Sequence, residues 1–175
     1  NLATQRMNVI DPDLRNSILL EQNVIVGRPE RKTPSMQEEL EYAVFNPTWT
    51  VPPDIYRLDK VPAIQTAAAN GAQAVAEWFT SNRFTLLDSK EQLADPTLYD
   101  WVGSPPRYGN VFIRQQPGTD NALGVVKFMM PNPYAIYLHD TNDPNLLLSD
   151  ERMKSSGCIR LTYPREFAEY LLAGT

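Results

Sequence analysis

Proline limits what this chain can build. Fifteen prolines are spread unevenly over its 175 residues. Each one fixes its own φ, removes a backbone donor and pushes the preceding residue towards extended conformations. Long helices are excluded from most of the chain, and short strands bounded by turns are expected. Residues 5–10 and 17–22 are strand-like and flank DPDLRN, whose Asp-Pro-Asp is a turn signal. NVIVG, 23–27, extends the second run, and 40–45 is a further strand; NPTWTVPPD after it is extended and proline-stiffened. Alanine-rich 63–82 differs: Val75, Trp78 and Phe79 form one helical stripe, with Gly71 dividing two short helices. Strands are expected again at 83–88, 110–115, 124–130 and 134–139. A helix is expected from Pro164 to Leu172, with Phe167, Ala168, Leu171 and Leu172 as its apolar face. The sum is a mainly β domain (1–60 and 107–175) with a helical insertion at 61–106 and a C-terminal helix.

The charge balance narrows the partners. A net charge of −5 argues against nucleic acid, which needs a basic face. No apolar run approaches the ~18 residues of a membrane-spanning helix. The chain starts at Asn1 rather than Met and reads as a piece of a longer protein, so a missing targeting segment carries no weight.

One histidine, His139, and one cysteine, Cys158, stand 19 positions apart in YLHDTNDPNLLLSDERMKSSGCIRL. A single cysteine excludes an internal disulfide and thiolate-rich zinc sites. His139 and Cys158 with Asp143 and Asp150 match no metal-ligand spacing, so no metal is expected, and an acyl transfer through a thiolate would need no cofactor. In AIYLHD, alternation puts Ala135, Tyr137 and His139 on one strand face and Ile136 and Leu138 on the other. Asp140 then points away from His139, and a backbone carbonyl is the better partner for the imidazole. In SSGCIR, the small residues Ser155, Ser156 and Gly157 let the chain bend ahead of Cys158. The N–H groups of Gly157 and Cys158 can then face an oxyanion. Taken singly, His139 reads as a hydrogen-bonded strand residue and Cys158 as a small core residue. Taken together they form a possible Cys/His acyl-transfer site.

The pairing of IYLHDT with SSGCIRL resembles the signature of L,D-transpeptidases, the YkuD-type catalytic domain of cell-wall enzymes. VIVGRPERKTP, NPTWTVP and QQPGTDNALGVVKFMMP agree with it in order, so the likeness covers most of the chain. The insertion is similar to the capping subdomain, or lid, of the larger Gram-negative members of the YcbB kind. Ser156 stands where many members carry a second histidine, which leaves His139 as the one histidine base.

The resemblance implies a β-sandwich-like catalytic domain in the periplasm or cell envelope that acts on peptidoglycan peptide stems. Cys158 would be acylated by the diaminopimelate carbonyl of a tetrapeptide, releasing D-alanine. A second stem's side-chain amine would then attack the thioester. The alternative on the same site is an L,D-carboxypeptidase or a hydrolase of cross-links. Acylation by carbapenem-type inhibitors is also implied. Cys158, His139 and Gly157 would be catalytic, and Tyr137, Arg160, Ser155 and Ser156 would bind substrate. For Tyr137 a packing role, and for Arg160 a structural ion pair with the 141–154 loop, stay open.

Overall fold

SILLEQNVIVG folds as one long strand whose second half is buried on both faces. It is the spine of the larger sheet. The computed structural model describes residues 1–173. The strands are β1 (Arg6–Asp11), β2 (Ser17–Gly27), β3 (Tyr42–Phe45), β4 (Trp49–Thr50), β5 (Phe84–Asp88), β6 (Leu93–Ala94), β7 (Val111–Gln115), β8 (Val126–Met129), β9 (Leu138–His139), β10 (Met153–Ser155) and β11 (Ile159–Leu161). The helices are α1 (Pro53–Ile55), α2 (Val61–Ala68), α3 (Ala72–Ser81) and α4 (Pro164–Leu172). The mainly β class, with helices in the middle of the chain and one at the end, is the one expected.

The chain divides into two compact units. The first contains residues up to Pro47 and from Ala122 onward, and its sheet runs β1-β2-β11-β9-β8-β3, with β10 also on β2. Val24, Val26, Val126, Phe128 and Leu161 share one face of it. Phe167 and Ala168 of α4 pack there, with the Phe128 and Phe167 rings 4.8 Å apart. Helix α4 begins at Pro164 as its sequence predicts, but Leu171 and Leu172 are exposed, so its apolar face is only half used.

The second unit is Thr48–Asn121, wider than the insertion at 61–106. It is wider because β4 and β7 pair with each other and β7 with β5, which joins residues on both sides of the helices. NPTWTVPPD stays extended only briefly, because a helix starts at Pro53. A π-helical stretch, Tyr56–Lys60, links α1 to α2, and the Val61 N–H reaches back to the Tyr56 carbonyl. Pro62 accounts for it: a proline has no N–H to donate and its ring crowds the carbonyl four residues before, so the turn ahead of it widens.

Candidate active site

The sheet face opposite α4 carries the polar residues. Alternation from the core positions Phe128, Leu138 and Ile159 places Lys127, His139 and Arg160 on that face. The register makes the three a row across adjacent strands: Lys127 pairs with His139, and His139 with Arg160. Ile25 of β2 ends the row beside Arg160.

The loop between β9 and β10 closes over this end of the face. Its 3-10 turn (Pro144–Leu148) packs on β2, with Leu147 buried. His139 is left 3% exposed. Its Nδ1 lies against the Asp140 carbonyl. A carbonyl only accepts, so Nδ1 carries the proton and Nε2 keeps its lone pair. The Asp140 carboxylate is used elsewhere and accepts the Val125 and Thr141 N–H groups at 2.9 and 2.7 Å. The sequence reading of a carbonyl rather than the Asp140 carboxylate beside the imidazole matches this geometry.

AIYLHD is less strand than expected. Only Leu138 and His139 pair, because the Asn132 side chain gathers the chain ahead of them into a turn. Its Oδ1 accepts the Tyr134 and Ile136 N–H groups, and Ala135 takes a positive φ of 53°. Tyr137 and His139 do share a face, their ring centroids 5.7 Å apart.

Cys158 is half-buried and stands one residue ahead of β11. The Ile159 N–H donates to the Tyr137 carbonyl, so the thiol lies beside the Tyr137 backbone, with Sγ 3.9 Å from the Ala135 carbonyl. The turn before it hooks around the end of β2. β10 runs along one edge of β2 and β11 along the other. Gly27 sits where they meet, and a β-carbon there would collide with the Arg31 carbonyl and the Thr33 N–H.

Ser155, 2% exposed, pins the turn from inside. Its hydroxyl donates to the Cys158 carbonyl at 2.6 Å and accepts the Gly157 N–H at 3.1 Å. The Gly157 N–H, read from sequence as an oxyanion donor, is therefore engaged within the turn. Gly157 itself adopts φ +120°, a conformation that side-chain-bearing residues avoid. Two residues without a role in the sequence reading hold the turn from outside. Thr33 Oγ1 accepts the Gly27 N–H at 2.9 Å and donates to the Gly157 carbonyl at 2.7 Å. Arg31 donates to the Ser156 hydroxyl at 3.0 Å. Both belong to GRPERKTP, whose order in the chain could have pointed to them but not to this contact.

Burial sets the charge states. It pushes the His139 imidazole down to about 3; the Arg160 guanidinium adds to the shift and the Asp140 hydrogen bond opposes it. Burial also pushes the Cys158 thiol up, against a backbone hydrogen bond with Tyr137 and the Arg160 charge. The resting pair is thus an uncharged thiol and a neutral imidazole. Arg160 feels Cys158 and Asp143, and its Nε is buried without a hydrogen-bond partner. A neutral imidazole with a free Nε2 and a thiol ahead of the neighbouring strand are the groups that a Cys/His acyl transfer requires, with the Arg160 cation at hand. Among the described residues no three His, Cys, Asp or Glu side chains could hold a metal ion, and no helix is long and apolar enough to cross a membrane.

Comparison with known proteins agrees with the resemblance. The family model described as the YkuD L,D-transpeptidase catalytic domain matches residues 1–175. A curated relative from Haemophilus influenzae, described as a putative L,D-transpeptidase, is 34% identical over 188 residues. The match covers 98% of this chain but 36% of the relative, so the chain spans about a third of that protein's length.

Proposed function

This chain belongs to the family of YkuD L,D-transpeptidase catalytic domains, and from that premise we propose that it cross-links peptidoglycan stems through a thioester on Cys158. The observation that supports the reading is the pairing of β9 with β11, since the sole imidazole of the chain lies on β9 and the sole thiol stands one residue ahead of β11.

His139 Nε2 takes the thiol proton as Sγ attacks the diaminopimelate carbonyl of a tetrapeptide. The oxyanion that forms is met by the Cys158 N–H, since the Gly157 N–H is held by Ser155. One such donor is worth ~2.7–4 kcal/mol in a transition state. The carbon–nitrogen bond breaks, the imidazolium protonates the departing amine, and D-alanine leaves a thioester behind. The side-chain amine of a second stem then attacks and gives its proton to His139. The carbon–sulfur bond breaks, and the proton returns to sulfur. No metal or redox partner enters these steps. Ser155, Ser156, Thr33 and Arg31 shape the turn that presents Cys158, and Arg160 steadies the developing thiolate. Capping by the insertion at 61–106, a location in the cell envelope and acylation by carbapenems belong to the same reading.

Incubation with tetrapeptide stems tests it. Intact mass should show an acyl adduct that is absent in Cys158→Ala, and the products should include cross-linked dimers. Tripeptide without dimers would favour the hydrolase instead, and an adduct surviving Cys158→Ala would remove the nucleophile. A carbapenem should label the protein once, with the same dependence on Cys158.

A further inference from the structure

Lys127 has no part in the steps above, yet it stands next to them. It is the in-register partner of His139 on β8, and its ammonium lies 5.7 Å from the centroid of the Tyr137 ring. Tyr137 in turn lies against His139 and beside Cys158. Half-buried, the ammonium is below its ordinary range through desolvation. None of the ion pairs found among the described residues includes it. An ammonium partly withdrawn from water without an anion is costly, and an arriving anion would offset that cost.

Arg160, the other permanent cation of the row, is differently placed. Burial is the largest influence on it, with Cys158 and Asp143 acting the other way, and its Nε is buried without a hydrogen-bond partner. Of the two, Lys127 is the cation whose ammonium lies over an aromatic face.

We infer that Lys127 and Tyr137 form a carboxylate-binding subsite beside the reactive pair, which holds an anionic group of the donor peptide. The peptide's identity rests on the transpeptidase reading; the carboxylate preference rests on the geometry. An ammonium over an aromatic face suits this role, since the ring orients the cation and leaves its N–H donors for a carboxylate. The chain is acidic overall, so a local cation also draws an anionic substrate to this face rather than elsewhere.

The test separates binding from turnover. Calorimetry on Cys158→Ala would compare a tetrapeptide stem with analogues amidated at each carboxylate in turn. Amidation of one particular carboxylate should weaken binding about tenfold to hundredfold, the scale of one charge-assisted contact. Adding Lys127→Met should weaken the free stem by the same factor and abolish the penalty for amidation. Lys127→Arg, which keeps the charge, should retain the preference and guards against a fold defect in the methionine variant. A penalty that persists in Lys127→Met, or no penalty at any carboxylate, overturns the subsite. Turnover is read separately on the unmodified protein. A Lys127-dependent preference without a thioester would leave the subsite standing and sink the catalytic reading. A thioester without that preference would do the reverse, and no binding of any stem would sink both.

Discussion

His139 shows how burial sets chemistry at the scale of one residue. Its folded value of about 3 lies far below that of an unfolded histidine, about 6.5. The fold therefore favours the neutral ring, and the unfolded chain takes up a proton first as pH falls. This contribution to stability is complete above about pH 6.5 and is lost as pH falls towards 3, at about 1.4 kcal/mol per pH unit. Urea unfolding from pH 7 to 4.5 should show this slope, and His139→Gln should flatten it; an equal slope in both would mean that the imidazole is not buried neutral. Arg160 acts on the thiol in the opposite sense to burial. Removing the cation in Arg160→Gln should move the apparent pKa for iodoacetamide alkylation further up, and Arg160→Lys should restore part of the shift. A fall on removing the cation would contradict the assigned contact. Ser155 is a sharper case, since one buried hydroxyl serves two backbone groups. Ser155→Ala should cost about 1–3 kcal/mol in urea unfolding by leaving them unsatisfied, and acylation should slow with it.

At the scale of elements, the decisive feature is the hook from β10 through Ser155–Cys158 into β11. It exists because β2 offers both edges at its end: the Val26 and Arg28 N–H groups face the 152–155 side, while Ile25 pairs with Arg160 of β11. Gly27 is the tightest point of that junction. Gly27→Ala should abolish acylation and lower the thermal midpoint strongly, because the atoms it would strike are backbone and cannot turn aside. A variant that folds and reacts normally would show that the hook is looser than drawn. The elements were legible to different degrees. Helix α4 was readable because Pro164 both starts a helix and is suited to its first turn. The division between α2 and α3 at Gly71 was readable for a similar local reason. The early end of AIYLHD as a strand was not, because it depends on one side chain, Asn132, binding backbone four residues away.

At the scale of the molecule, the Thr48–Asn121 unit interrupts the sequence of the other between β3 and β8. Those two strands pair with each other up to Phe45 and Val126, and the Asn46 N–H still donates to the Val125 carbonyl at 2.8 Å. The points where the chain leaves and returns are therefore close, and a short loop there costs little closure entropy. Replacing 48–121 by a short Gly-Ser linker should leave a first unit that folds and unfolds cooperatively, checked by circular dichroism and amide dispersion in NMR; a molten product would show that its core needs the insertion.

Sequence by itself determined the inventory and the faces. It supplied one thiol, one imidazole, the small residues before the thiol, and a period of two that puts Tyr137 and His139 opposite Ile136 and Leu138. It carried the family likeness in the same way, because ordered motifs are local facts. Only the tertiary structure decided that Lys127, His139 and Arg160 stand in one row, that Ser155 occupies the Gly157 N–H, and that Thr33 and Arg31 brace the turn from more than a hundred positions away. The physical reason is that alternation fixes which side of a strand a residue faces, whereas strand neighbours are chosen by the packing of the whole sheet.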